Sequence, residues 1–113
     1  MTAVGEKAVL IMVTTGGRDD AERLGEALVV ERLAGSCSVI PTVHSIYFWE
    51  GQLKREHEAL LLVKTVTSKA AAVQEYVRSH HEYELPEILE IAVEGASPAY
   101  LKWLGEQVAQ EAR

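Results

Sequence analysis

The chain has 113 residues, 48% of them hydrophobic and 25% charged, and this composition predicts one globular domain over residues 1–113. The formal net charge of −6 disfavours nucleic acid and anionic membranes as partners and favours cations. The single cysteine, Cys37, excludes an internal disulfide framework and a multi-cysteine zinc site. We find no apolar run of membrane-spanning length and no signal-peptide pattern over Met1 to Lys7, so we expect a cytoplasmic protein.

The first segment of the chain predicts a strand followed by a helix. Ala8 to Thr14 is a continuous run of apolar, mostly branched residues, typical of a strand buried on both faces. After Gly16 and Gly17, apolar residues recur at helical spacing from Arg18 to Leu33, and acidic residues occupy the first turn. Gly35 lies where a glycine commonly ends a helix, and we expect it to end this one.

The middle of the chain predicts a β-hairpin. Ser36 to Glu50 and Leu53 to Val66 are both β-rich, and they flank a tight turn that we place at Gly51 and Gln52. Each arm of about 13 residues would extend roughly 43 Å. That length exceeds what a domain with a radius of gyration of about 13 Å can cover.

The last third of the chain predicts a helix, a strand and a final helix. Thr67 can cap a helix from Ser68 to about His80. A loop then leads to a strand over Glu87–Glu94. Ser97-Pro98 has the pattern of a helix start, and this last helix is expected to reach about Ala112. The order β-α-β-β-α-β with one extra helix predicts an α+β, ferredoxin-like sandwich with a long hairpin.

The tip of the hairpin carries consecutive large apolar residues. Ile46, Tyr47, Phe48 and Trp49 would be an aggregation hazard at an exposed strand end unless another chain covered them. We therefore expect Tyr47, Phe48 and Trp49 at subunit contacts of a homo-oligomer. The alternative is that the arm bends at Pro41 and folds back on the chain's own core.

The sequence does not predict an enzyme. A G-x-S-x-G motif is absent, and a nucleophile with an adjacent base cannot be identified. Cys37 lies mid-strand among apolar residues, where it is expected to act as a small core residue.

The segment from Ser79 to Glu87 is the most promising for metal chemistry. It places His80 and His81 at a helix end, next to Glu82 and Glu84. Imidazole is a good ligand for Cu(II) and Zn(II), so we expect weak binding of one of these ions through the two histidines, with the glutamates as possible oxygen ligands. In the alternative interpretation, His80 stabilises the helix end and His81 is a solvated loop residue.

Two further histidines lie on the hairpin. With a turn at Gly51-Gln52, His44 pairs with Ala59 and lies diagonal to His57 on one face. These rings could bracket an ion or simply pack across the strands. Glu56 and Glu58 share the other face, as paired carboxylates or as a solvated edge.

Four ordered blocks carry a resemblance to a known family. They are S-x-Y-x-W-x-G at Ser45–Gly51, K-T at Lys64-Thr65, H-x-Y-x-x-P-E at His81–Glu87 and Y-L-x-W at Tyr100–Trp103. In these blocks the chain resembles the CutA family of divalent-cation tolerance proteins, from about Val9 to Leu104.

The resemblance implies a ferredoxin-like homotrimer whose hairpins pair between subunits, a cytoplasmic location and a link to copper and other divalent cations. It implies no enzymatic reaction. A cysteine and a His-His pair are proposed copper ligands in some members; the pair corresponds to His80 and His81, but Val13 stands at about the cysteine position. Two alternatives stay open: a regulatory trimer that binds a small anionic ligand, by analogy with PII proteins, and a structural scaffold.

Overall fold

The computed structural model describes residues 6–111; Met1–Gly5 and Ala112–Arg113 lie outside the described residues. Within that range, four strands and three α-helices follow one another in the predicted order. They are β1 (Ala8–Thr15), α1 (Arg18–Val30), β2 (Ser36–Trp49), β3 (Gln52–Val66), α2 (Ala70–His80), β4 (Ile88–Ala92) and α3 (Pro98–Ala109).

All neighbouring strands pair antiparallel, in the order β2-β3-β1-β4. β1 therefore lies inside the sheet between β3 and β4, which agrees with its continuous apolar sequence. The predicted α+β class, with an antiparallel sheet and a third helix after the last strand, is confirmed.

One face of the sheet packs against α1 and α2 and forms the main core. Because side chains alternate along a strand, every second residue of β1 and β3 points to this face. α1 contributes its apolar stripe, and α2 contributes residues spaced three and four apart. Its largest fully buried side chains are those of Ile11, Val13, Leu28, Leu61, Val63, Val73 and Val77.

α3 packs on a second, smaller cluster. Leu104 and Val108 of α3 contact Ala8 and Val66, at the paired ends of β1 and β3. Strand alternation places Ala8 and Val66 on the sheet face opposite α1 and α2. Ser97 caps this helix as predicted, because its hydroxyl accepts a hydrogen bond from the backbone N–H of Tyr100 at 3.2 Å.

The prediction that α1 runs to Leu33 and ends at Gly35 is wrong. α1 ends at Val30, and Arg32 takes the left-handed conformation with φ of 61°. The Arg32 side chain is held there by a hydrogen bond to the Gln107 side chain of α3, at 3.2 Å. A tertiary contact has thus replaced the glycine that usually ends a helix.

Gly35 instead makes room for α3. A Cβ added to Gly35 would lie 2.3 Å from Cδ1 of Leu104, whose side chain is fully buried. We expect Gly35→Ala to lower the free energy of unfolding by about 1–3 kcal/mol, because Leu104 must leave its packed position. Chemical denaturation beside Gly95→Ala, where an added Cβ meets nothing within 4 Å, measures the effect. Equal stability of the two variants would contradict this assignment.

The hairpin turn lies one residue earlier than predicted. The turn residues are Glu50 and Gly51, with φ of 50° and 79°, and Trp49 pairs with Gln52. Positive φ at both positions is typical of the tight turns that match the twist of a hairpin, and glycine satisfies the second at little cost. His44 consequently pairs directly with His57, so the diagonal arrangement predicted for them is wrong.

The hairpin projects from the sheet, and it does not fold back on the core. An irregularity in register lies between Ile40 and Val43, at Pro41, but β2 continues to pair with β3 up to the turn. The described chain extends 48 Å along its longest axis. Phe48 at the tip is 73% exposed, and Ile46 and Leu53 are also exposed.

The start of α2 also differs from the prediction. A short 3₁₀ helix, Thr67–Lys69, precedes it, and the Thr67 side chain caps neither helix. The carboxylate of Glu6 accepts a hydrogen bond from the backbone N–H of Ser68 at 2.7 Å instead. At the other end of the chain, α3 ends at Ala109, and Ala112 lies outside the described residues.

Candidate functional site

The sheet face opposite α1 and α2 carries apolar side chains that the described residues leave partly uncovered. We call this the open face. Leu89 and Ile91 of β4 are 48% and 42% exposed there, and Ile40 of β2 is similarly exposed. Met12 and Leu60, on the central strands, are half-buried. Such a patch on a soluble domain is typical of an interaction surface.

A groove of about 1010 Å³ lies beside the open face, where the hairpin meets the loop between α2 and β4. None of the residues that line it is a lysine, an arginine or a histidine. Five carboxylates line this acidic groove: Glu56, Glu58, Glu82, Glu84 and Glu87.

Glu58 is the buried carboxylate of the acidic groove. It is only 5% exposed, and the Tyr83 hydroxyl donates a hydrogen bond to its Oε2 at 2.6 Å. A short hydrogen bond to a carboxylate is among the stronger ones in proteins and compensates for loss of hydration. Burial, and then this hydrogen bond and the negative charge of Glu58, raise the pKa of Tyr83. Tyr83 therefore stays protonated and continues to donate through the neutral range.

The loop is also fixed to the end of β1. The Thr14 hydroxyl donates to Oε2 of Glu87 at 2.7 Å, and the Thr14 N–H donates to the carbonyl oxygen of Glu87 at 3.3 Å. The loop therefore has a defined position over the sheet, and Glu82, Glu84 and Glu87 line the groove that the loop forms with the hairpin.

We expect Tyr83→Phe to lower the free energy of unfolding at pH 7 by about 1–3 kcal/mol, because it removes the donor from a buried carboxylate. The raised pKa makes this contribution dependent on pH. The stabilisation by this hydrogen bond is complete below about pH 10, the ordinary pKa of tyrosine in an unfolded chain. It is lost as the pH rises toward the higher pKa of Tyr83 in the folded chain.

Denaturation of the wild type and Tyr83→Phe between pH 7 and 11 tests this dependence, and the difference in stability is expected to shrink above pH 10. Tyr100→Phe, at a partly exposed tyrosine of α3, is the matched control. A difference that stayed constant or grew with pH would contradict the proposed role of the hydroxyl.

The two histidines among the predicted metal ligands, His80 and His81, are each held by hydrogen bonds. His81 uses both nitrogens, since Nε2 lies 2.7 Å from the carbonyl oxygen of Thr14 and Nδ1 accepts from the N–H of Tyr83 at 3.0 Å. These partners require the neutral tautomer with its proton on Nε2. His80 stacks on Tyr76, with ring centroids 4.0 Å apart, and its Nδ1 lies 2.8 Å from the Tyr76 carbonyl oxygen. Its Nε2 is left for another partner.

The structure brings some of the predicted ligands together. His80, His81 and Glu82 line a small pocket beside Asp20, whereas Glu84 lines the acidic groove. Within residues 6–111, no three His, Cys, Asp or Glu side chains are grouped closely enough to hold one ion. The donor set therefore does not fit a preformed site that binds tightly, because His81 must first give up a hydrogen bond.

Neither Val13 nor Cys37 supplies a reactive thiolate at neutral pH. Val13 is fully buried in the main core, and its side chain offers no donor atom to a metal. Burial raises the pKa of the Cys37 thiol to about 12, although Lys64 partly opposes this effect. Cys37 is therefore a poor nucleophile at neutral pH, as expected from its place in the strand.

The three aromatic residues predicted at subunit contacts do not share one face of the hairpin. Tyr47 and Trp49 line the acidic groove, and Phe48 lies on the opposite side, as alternation requires. In the described part of the chain, no helix has the length and apolar character needed to cross a membrane.

Comparisons with known proteins give one consistent result. A family model described as CutA1 divalent ion tolerance protein matches residues 9–107. The chain is 43% identical over 90 residues to the CutA homolog of Xenopus laevis, and the match covers 80% of this chain and 60% of that protein. It is 35% identical over 98 residues to the divalent-cation tolerance protein CutA of Citrobacter koseri, with coverage of 87% and 85%.

Relatives differ in length. The match to the chloroplastic CutA 1 of Oryza sativa covers 58% of that protein, so the chain spans little more than half of the frog and rice relatives. The match to the bacterial relative covers 85% of that protein.

Solved structures agree with this result. The crystal structure of CutA1 from Oryza sativa superposes with a TM-score of 0.86 at 31% identity, covering 95% of this chain and 94% of that chain. CutA1 from Thermus thermophilus superposes with a TM-score of 0.84 at 35% identity, covering 88% and 97%. The resemblance found in the four sequence blocks is thereby confirmed, and the chain belongs to the family of CutA1 divalent ion tolerance proteins.

Proposed function

We propose that this chain is a cytoplasmic, ferredoxin-like homotrimer that binds divalent cations weakly and reversibly, without catalysis. The observation that carries cation binding is the acidic groove, which is lined by five carboxylates and no basic side chain. Negative charge in a recessed site raises the local concentration of cations. The divalent-cation tolerance named for relatives supports the same ligand class.

The open face and the projecting hairpin support the trimer. A 48 Å long molecule with exposed Phe48, Leu89 and Ile91 presents apolar surface that a partner would bury. Copies of the same chain are the simplest partner, because closed symmetry lets each subunit cover its neighbour.

Within this proposal, Cu(II) or Zn(II) binds through His80 and His81 in the small pocket, which Arg23 also lines. Glu82 lines both this pocket and the acidic groove, so it joins the histidines to the negative charge of the groove, to which Glu84 contributes. His80 offers Nε2 directly, whereas His81 must release Thr14 or Tyr83. Absence of a thiolate at Val13 disfavours Cu(I) more than Cu(II), because soft ligands select the softer ion.

Calorimetric titration with Cu(II) and Zn(II) tests this site. We expect the His80→Ala, His81→Ala double variant to lose at least about tenfold in affinity at this site, and Glu82→Gln, Glu84→Gln to lose severalfold. Binding is also expected to weaken as the pH falls toward about 5, because a protonated imidazole cannot bind a metal. Unchanged titrations of both variants would exclude these residues from cation binding.

A regulatory trimer that binds a small anion is the competing proposal. The charge of the acidic groove counts against it, because an anion placed there would face five carboxylates. Titration with nucleotides under the same conditions separates the two proposals, and heat exchange with a nucleotide alone would favour the competitor. No binding of either class would leave the structural scaffold as the better account.

A further inference from the structure

A second pair of histidines lies on the hairpin, away from the acidic groove. His44 of β2 and His57 of β3 are direct cross-strand partners, and their ring centroids are 4.4 Å apart with planes inclined at 55°. Both residues are exposed. Their positions are fixed by the register that the Glu50-Gly51 turn imposes.

The distance between the rings suits two ligands of one ion. With a metal–nitrogen bond of about 2.0–2.1 Å, the centre of a bound imidazole lies about 3.2 Å from the metal. Two such ligands at a right angle place their ring centres about 4.5 Å apart, and a tetrahedral angle places them about 5.2 Å apart. The observed 4.4 Å matches the right-angle arrangement. Tetragonal geometry with nitrogen ligands is typical of Cu(II).

The surroundings leave the pair available to an ion. Along β3, Glu56 and Glu58 line the acidic groove, so alternation places them on the opposite face from His57. Arg55 lies two residues before His57 on the same face of β3 and is the charged neighbour of the pair there. Its cross-strand partner is Ile46. Its positive charge lowers the affinity of the histidine pair for a cation, but the arginine does not block the imidazole rings.

We propose that His44 and His57 form a two-imidazole site for Cu(II), with solvent completing the coordination. The strands hold both ligands close together before the ion arrives, which reduces the ordering that binding requires. The site uses neither the groove carboxylates nor His80 and His81, and it does not rest on the function proposed above.

Copper titration of the full chain, with electron paramagnetic resonance of the bound Cu(II), tests the proposal. In the His80→Ala, His81→Ala background, which removes the other proposed imidazole pair, His44→Asn and His57→Asn are each expected to weaken this site at least tenfold and to reduce the nitrogen hyperfine pattern from two imidazoles to one. Asparagine keeps a polar side chain on an exposed strand, and circular dichroism verifies the fold. The His80→Ala, His81→Ala variant is expected to keep the two-imidazole signal.

Arg55→Gln provides a gain-of-affinity test that does not depend on removing a ligand. It is expected to strengthen Cu(II) binding severalfold at low ionic strength, because a positive neighbour is removed. Unchanged affinity and spectra when His44→Asn or His57→Asn is added to the His80→Ala, His81→Ala background would overturn the proposal. Loss of the two-imidazole signal only in the His80→Ala, His81→Ala variant would also overturn it, while leaving the function proposed above intact.

Discussion

Replacing Leu89 and Ile91 together with aspartate is expected to convert the proposed trimer into monomers. Both side chains lie on the open face of β4 and are about half exposed in the single chain. Burying two unpaired carboxylates in a subunit interface is expected to cost several kcal/mol per subunit. The monomer is expected to stay folded, because neither residue belongs to the main core.

Light scattering of the variant at micromolar concentration measures this effect. Ala71→Asp with Ala72→Asp is the matched control, since it adds the same charge at exposed positions in the first turn of α2. That control is expected to remain trimeric. A Leu89→Asp, Ile91→Asp variant with the mass of the wild type would show that the open face is not the interface.

Trp49→Ala is expected to have the second largest effect, a loss of stability of the assembled protein. In the single chain Trp49 lies at the hairpin tip, and its indole is partly exposed at the edge of the acidic groove. Truncating a partly exposed side chain in a monomer would cost little. Covered by a neighbouring subunit, the same ring would be a buried anchor, and its loss would cost about 3–5 kcal/mol per subunit.

Denaturation at several protein concentrations distinguishes these cases, because the stability of a trimer depends on concentration. Gln52→Ala, the cross-strand partner of Trp49, is the control and is expected to change stability by less than about 1 kcal/mol. A stability loss that was equally small for both variants would place the anchor elsewhere on the hairpin.

The elements of the fold could be predicted because their signals are local. The apolar run at Ala8–Thr14 and the alternation along the hairpin each reflect burial of one or both strand faces. The end of α1 could not be predicted in this way, because Arg32 adopts φ of 61° and is held by Gln107, 75 residues later. The turn was misplaced because Glu50, a residue other than glycine, occupies a positive φ.

The candidate site was only partly predictable. Glu56 and Glu58 were expected on one face from strand alternation, and the structure agrees. The partner of Glu58 was missed, because Tyr83 lies 25 residues away and reaches it only through the path of the loop. The H-x-Y spacing was the available signal. It places the Tyr83 N–H on Nδ1 of His81, whose other nitrogen is bound to the end of β1.

The mass of the native protein tests the central claim most directly. Sedimentation equilibrium of the purified chain over a range of micromolar concentrations is expected to give about 37 kDa, three times the 12.4 kDa of one chain. The open face and the hairpin tip would then be covered by neighbouring subunits, as their apolar surface requires. A single species of 12.4 kDa across that range would contradict the proposed trimer.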